Sequence, residues 1–118
     1  ENPVQFTGPL AVIVSSHNSS AGEVSALVLQ NLKRATIVGE KTSGNVEAIQ
    51  DFSLPDGSVM MIAVANMEGI DGTAFTAGIT PDVEVSESLQ ELARGFDAPL
   101  AEALKAVKAL PFTPGKYF

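Results

Sequence analysis

A run of apolar and β-branched residues from Pro9 to Ser15 (PLAVIVS) constrains the fold more than any other feature of the chain. It lacks polar alternation, so a strand built from it must be covered on both faces, as strands in parallel or mixed sheets are. A turn follows at Ser16 to Ser19. From Ala21 to Leu32, the residues Val24, Leu27, Val28 and Leu32 recur at three- and four-residue steps, which predicts a helix with those four on one side. Ala35 to Gly39 (ATIVG) reads as a second buried strand. Strand, helix and strand within about 30 residues match the size of a βαβ unit, so the two strands are expected to run parallel. The class is α/β.

Downstream, Ala48 to Leu54 and Ser58 to Val64 flank Pro55, Asp56 and Gly57, a turn sequence that predicts a β-hairpin. Asn66 to Thr80 is glycine-rich and aperiodic, which reads as a loop near a functional surface. Gly78 to Val85 (GITPDVEV) gives a short extended segment after a turn at Pro81 and Asp82. Ser88 to Gly95 and Leu100 to Leu110 are expected to be helical, the second with apolar Leu100, Ala103, Leu104 and Val107 at helical spacing. The tail from Pro111 to Phe118 reads as extended.

At 118 residues the chain can bury one core, and a single unit is expected. Its formal charge of -7 disfavours the clustered Lys and Arg that a nucleic-acid surface needs. The absence of cysteine excludes disulfides and thiol nucleophiles. One histidine and scattered carboxylates show no metal-ligand spacing, and no nucleotide loop is visible, so no cofactor is expected. The apolar runs fall well short of the roughly 20 residues that span a bilayer.

The segment Asn18-Ser19-Ser20-Ala21-Gly22-Glu23 lies between the first strand and the first helix, and two readings fit it. In one, Ser20 caps the helix and Glu23, three residues on, completes a capping box. In the other, Ser20 projects at a strand-to-helix turn as a nucleophile, and the Ala21 amide is aimed at the oxyanion that would form there. Both readings use the same geometry.

Motif order separates them. Ser-Ala-Gly-Glu is followed by KRATIVGEKTSGN, then LPDGS, then GITPDVEV. Over residues 8 to 85 this resembles the carboxyl-terminal-processing, tail-specific serine peptidases and their tricorn-like and interphotoreceptor-retinoid-binding-protein-like relatives. The resemblance implies a crotonase-like and Clp-protease-like β-α spiral core with a β-hairpin, of which residues 1–118 are expected to be the C-terminal part. A PDZ or helical companion domain and the Asp-Leu-Arg-x-Asn-x-Gly-Gly turn that supplies a second oxyanion donor would lie outside this sequence. It further implies a polypeptide substrate cleaved near its C-terminal tail, Ser20 as nucleophile and Ala21 as oxyanion amide. A periplasmic or otherwise extracytoplasmic setting is favoured by the same resemblance, and homo-oligomerisation is left open.

Two positions depart from the pattern. The family's base lysine falls at Asn45, which is no proton acceptor at neutral pH, and Lys41 occupies a variable position. This points to the tricorn-like branch, whose base histidine comes from an upstream segment and whose supporting glutamate falls at Phe75. Glu68 and Asp71 in the same loop are alternative supports, with solvated loop carboxylates as the plainer reading. His17, the only imidazole, lies three residues before Ser20 and reads as a turn residue beside the cleft. The isolated segment is therefore expected to be inactive alone. The alternative is a non-catalytic relative that binds peptides or apolar ligands.

Overall fold

The structure is a computed structural model that describes residues 6–68 and 77–109. In chain order the elements are β1 (Ala11–Val14), α1 (Ala21–Asn31), β2 (Thr36–Gly39), β3 (Ala48–Ser53), β4 (Val59–Ala65), β5 (Val83–Glu84), α2 (Leu89–Leu92) and α3 (Ala98–Ala109). β1, β2 and β5 form one parallel sheet in the order β1-β2-β5, with Val12 opposite Ile37 and Val38 opposite Val83. The expected βαβ unit and α/β class are thus present.

The core is Val14, Ala26, Ile37 and Ile79, with Val12, Leu27 and Ala35 packed against it. Ile37 and Val38 point to opposite faces of β2, as alternate strand residues must, and neither has any exposed surface. α1 lies against β2, and α3 lies against β1 and β2. β1 departs from the expected two-sided burial: among the described residues it is the outer strand of its sheet, and Ile13 is 43% exposed.

On both long helices part of the apolar stripe that the spacing marks is exposed. α1 buries Glu23 and Ala26, whereas Val28 and Leu32 are exposed. Glu23, whose carboxylate finds its donors inside, shares the buried face with Ala26, while Leu27 still packs against the core. α3 begins at Ala98, two residues earlier than expected, because Asp97 Oδ1 accepts the Leu100 N–H at 2.8 Å and Pro99 is tolerated in a first helical turn. Its buried residues are Pro99 and Ala103, four apart, while Leu100 and Leu104 are exposed. Small side chains let the helix approach the sheet, and the leucines, one position on, are rotated about 100° away.

β3 and β4 form the expected antiparallel hairpin, with a register shift between Ala48 and Ile49. Its turn is closed by Leu54 N–H donating to the Ser58 carbonyl at 2.8 Å. Ser58 Oγ and N–H donate to Asp56 and hold its carboxyl below the usual carboxylate range. Every residue of both strands is exposed, Val59, Met61 and Val64 included. α2 is the short remnant of the helix expected over 88–95, capped by Ser88 Oγ accepting the Glu91 N–H. The expected extended tail beyond Leu110 and much of the glycine-rich loop lie outside the described residues. Among the described residues no helix is long and apolar enough to cross a membrane.

Candidate active site

The chain leaves β1 at Val14 and reaches α1 through a turn that its own polar side chains close. Asn18 Oδ1 accepts the Ser15 N–H at 2.8 Å, and the Asn18 N–H donates to the Ser15 carbonyl at 3.0 Å. The segment after β2 then docks on this turn. Glu40 accepts the Ser16 hydroxyl at 2.9 Å and its N–H at 3.3 Å, bonds that hold the Glu40 carboxyl below its ordinary value. Ser43 donates its hydroxyl and its N–H to the Asn18 carbonyl at 2.7 and 3.2 Å. The Ser20 N–H donates to the Asn45 carbonyl at 2.8 Å.

Ser20 itself has φ 53° and ψ -130°. An ordinary N-cap has extended backbone angles and a side chain accepting from the helix. Ser20 has neither, since its side chain makes no capping bond. Glu23 does not reach back to it either, so the capping-box reading is corrected. A non-glycine residue in this region costs about 1 to 3 kcal/mol and persists only where its surroundings over-determine it. Such strain is a feature of nucleophile elbows, the sharp strand-to-helix turns that expose a serine Oγ.

Among the described residues, Ser20 Oγ has no hydrogen-bond partner and the Ala21 N–H has none, while the next two helix amides are taken by the Ser19 and Ser20 carbonyls. An exposed hydroxyl thus stands beside an unpaired amide at the N-terminus of an 11-residue helix, where the dipole favours negative charge. Glycine at position 20 would remove the φ penalty at the cost of its own backbone entropy, about 0.5 to 1 kcal/mol. Ser20→Gly is therefore expected to raise stability by about 1 kcal/mol, read as a higher denaturant midpoint at unchanged slope.

Glu23 has no exposed surface and holds the site from beneath. Its Oε1 accepts the Gly44 N–H at 2.8 Å and the Thr42 hydroxyl, and its Oε2 accepts the Ser43 hydroxyl at 3.5 Å. Thr42 Oγ1 in turn accepts the Ile79 N–H at 2.7 Å, and the Thr42 N–H donates to the Ile79 carbonyl at 3.1 Å. Gly78 brings the two backbones that close, with φ 69° and a position where a Cβ would lie 2.3 Å from the Thr42 carbonyl oxygen. A buried carboxylate is tolerated only when paired or well supplied with donors, which this one is. Asp82 has a separate task, accepting the Ile37 N–H at 2.7 Å and Gln30 Nε2 at 2.9 Å, so it fastens β5 to β2 and α1.

The structure therefore brings Ser20, Ala21 and Asn45 together. His17 is exposed; its backbone N–H donates to Ser15 Oγ, and its imidazole makes no hydrogen bond among the described residues. Glu68 is exposed beyond the end of β4, Lys41 is exposed, and Asp71 and Phe75 lie outside the described residues. Glu23 and Thr42 escaped sequence reasoning as site residues. Their signal was the acid inside Ser-Ala-Gly-Glu and the threonine inside Gly-Glu-Lys-Thr-Ser-Gly, two motifs that pair in space.

A hollow lined by Phe6, Pro9, Leu10, Gln30, Arg34 and Asp82 lies at the opposite ends of β1 and β2 from Ser20. Strain and free polar groups, rather than depth, mark the site. Among the described residues no three His, Cys, Asp or Glu side chains cluster as a metal centre would require.

Comparison with known proteins bears on the family and the fold. The profile described as peptidase family S41 matches residues 1–85. A carboxy-terminal-processing protease of Bartonella bacilliformis is 31% identical over 96 residues, covering 80% of this chain and 22% of the relative. The solved photosystem II D1 C-terminal processing protease is 35% identical with a TM-score of 0.58, over 66% of this chain and 20% of that one. The tricorn protease structure superposes with a TM-score of 0.76 at 23% identity, over 90% of this chain and 12% of that one, a likeness of fold. The chain spans about a fifth of the length of the first two.

Proposed function

The chain belongs to peptidase family S41, and from that premise we propose that it is the nucleophile-bearing, C-terminal part of a serine peptidase catalytic core. In this reading Ser20 Oγ attacks the scissile carbonyl carbon while its proton passes to a base carried by another segment of the protein. The Ala21 N–H donates to the resulting oxyanion. The C–N bond then breaks, the amine leaves with the proton, and water hydrolyses the ester on Ser20. Unfolded polypeptide, cut near its C-terminal tail, is the substrate class, by analogy with the carboxy-terminal-processing relative.

The observation that supports this most is the strained Ser20 backbone with no capping bond to compensate it. A helix cap has no need of that conformation. Incubating the full-length protein with a fluorophosphonate probe is expected to label Ser20 alone among the serines of this segment. A folded protein left unlabelled would remove the proposal.

One observation favours a second reading. Asn45, at the position of the family's base lysine, meets Ser20 through its backbone carbonyl, and its side chain is exposed. A relative that binds peptides or apolar ligands without cleaving them would need no base there. Hydrolysis of a denatured protein, lost on Ser20→Ala, excludes that reading.

A further inference from the structure

Three of the four motifs in the sequence converge on one carboxylate. Glu23 comes from the segment after β1, Thr42 and Gly44 from the segment after β2, and Ile79, bonded through Thr42, from the segment before β5. Glu23 is fully buried, and Thr42 is 5% exposed. The segment they fix, 42–45, is the one whose Asn45 carbonyl takes the Ser20 N–H and whose Ser43 grips the Asn18 carbonyl.

We propose that Glu23 is a positioning residue for Ser20, acting through Thr42, Gly44 and Asn45, and not a catalytic group. The inference rests on the reading of Ser20 as nucleophile and adds what keeps that nucleophile in place. Ser20 holds an unfavourable φ of 53°, so its conformation must be imposed from outside. The bond from its N–H to the Asn45 carbonyl, at 2.8 Å, does this. That carbonyl is itself fixed one residue away by Gly44 N–H on Glu23 Oε1. Releasing Glu23 frees 42–45 to move, and with it the angle at which Oγ and the Ala21 N–H face one bound carbonyl.

The geometry predicts which replacements are tolerated. The bonds from Gly44 and Thr42 both end on Oε1, an oxygen that glutamine also provides. Glu23→Gln therefore keeps both, with its amide nitrogen toward the Ser43 hydroxyl, which can accept. Glu23→Leu keeps the volume and loses every bond.

The test is the second-order rate at which the fluorophosphonate probe labels Ser20 in full-length protein, together with the kcat and KM split on an unfolded polypeptide. Glu23→Leu is expected to be labelled about 100-fold more slowly, the loss that misplacement by about 1 Å brings. The change should fall in kcat with KM nearly constant, and Glu23→Gln should restore the wild-type rate. A folded Glu23→Leu protein labelled at the wild-type rate, even with a lowered melting temperature, would overturn the proposal and assign Glu23 to stability only. So would Glu23→Gln labelled as slowly as Glu23→Leu. Should Glu23→Leu fail to fold, Thr42→Val against Thr42→Ser decides on the same readout, with slow labelling expected of the valine variant alone and equal labelling of both contradicting the proposal. Wild-type protein that takes no label overturns the reading of Ser20 itself, and this inference with it, whereas labelled wild type with indifferent variants overturns this inference alone.

Discussion

Ser20→Ala is expected to lower turnover of an unfolded polypeptide by the full-length protein about a million-fold, the scale of loss when a serine nucleophile is removed from a hydrolase. The effect should be confined to the chemical step. Ser20 Oγ makes no capping hydrogen bond, so its removal orphans no partner among the described residues. Alanine meets the same φ penalty as serine, so stability should stay within about 0.5 kcal/mol of wild type. Turnover on the substrate and the denaturant midpoint of the same preparation check both halves. The helix-cap reading predicts the reverse pattern: activity retained, and about 1 kcal/mol of stability lost with the cap.

The second large effect is on folding. In Gly39→Ala a methyl group would be placed 1.9 Å from the Val14 carbonyl oxygen, at a residue whose φ is 130°. The obstacle is backbone, which cannot swing aside as a side chain would. It is also a backbone in use, since the Val14 carbonyl accepts the Glu40 N–H at 3.1 Å where β1 and β2 end together. Crowding of this kind costs about 1 to 3 kcal/mol in a packed interior, and an unfavourable φ adds about 1 to 3 kcal/mol more. Together these come to about 2 to 6 kcal/mol, a large part of a domain's stability of roughly 5 to 15 kcal/mol. The full-length variant should accumulate as insoluble or protease-sensitive protein. A melting temperature within a few degrees of wild type would show that the two strand ends are not so closely joined.

The βαβ unit was legible because apolar runs and turn residues report backbone class directly. β1, α1, β2 and the hairpin lie where Pro9–Ser15, Ala21–Leu32, Ala35–Gly39 and the residues about Pro55-Asp56-Gly57 place them. Helix rotation was less legible. Hydrophobic spacing put Val28 and Leu32 inward, and nothing in a one-dimensional pattern weighs them against a glutamate. Only the donors of Thr42 and Gly44, some twenty positions on, make burial of Glu23 affordable. Ser20 was visible as a turn serine, and the backbone angle that distinguishes it from a cap is a property of three dimensions. The exposed faces of β3 and β4 show the same limit, since a turn sequence predicts a hairpin and cannot say what stands against it. The motifs, by contrast, were informative together because three of them share one network.

The most direct measurement is capture of the acyl-enzyme. Full-length protein mixed with an unfolded polypeptide, quenched in acid within the first turnover and digested for mass spectrometry, should yield a peptide spanning residue 20 that carries a substrate fragment in ester linkage. The added mass should be absent from Ser20→Ala. Cleavage of the substrate with no ester on Ser20 at any quench time, or with the fragment on another residue, would contradict the account.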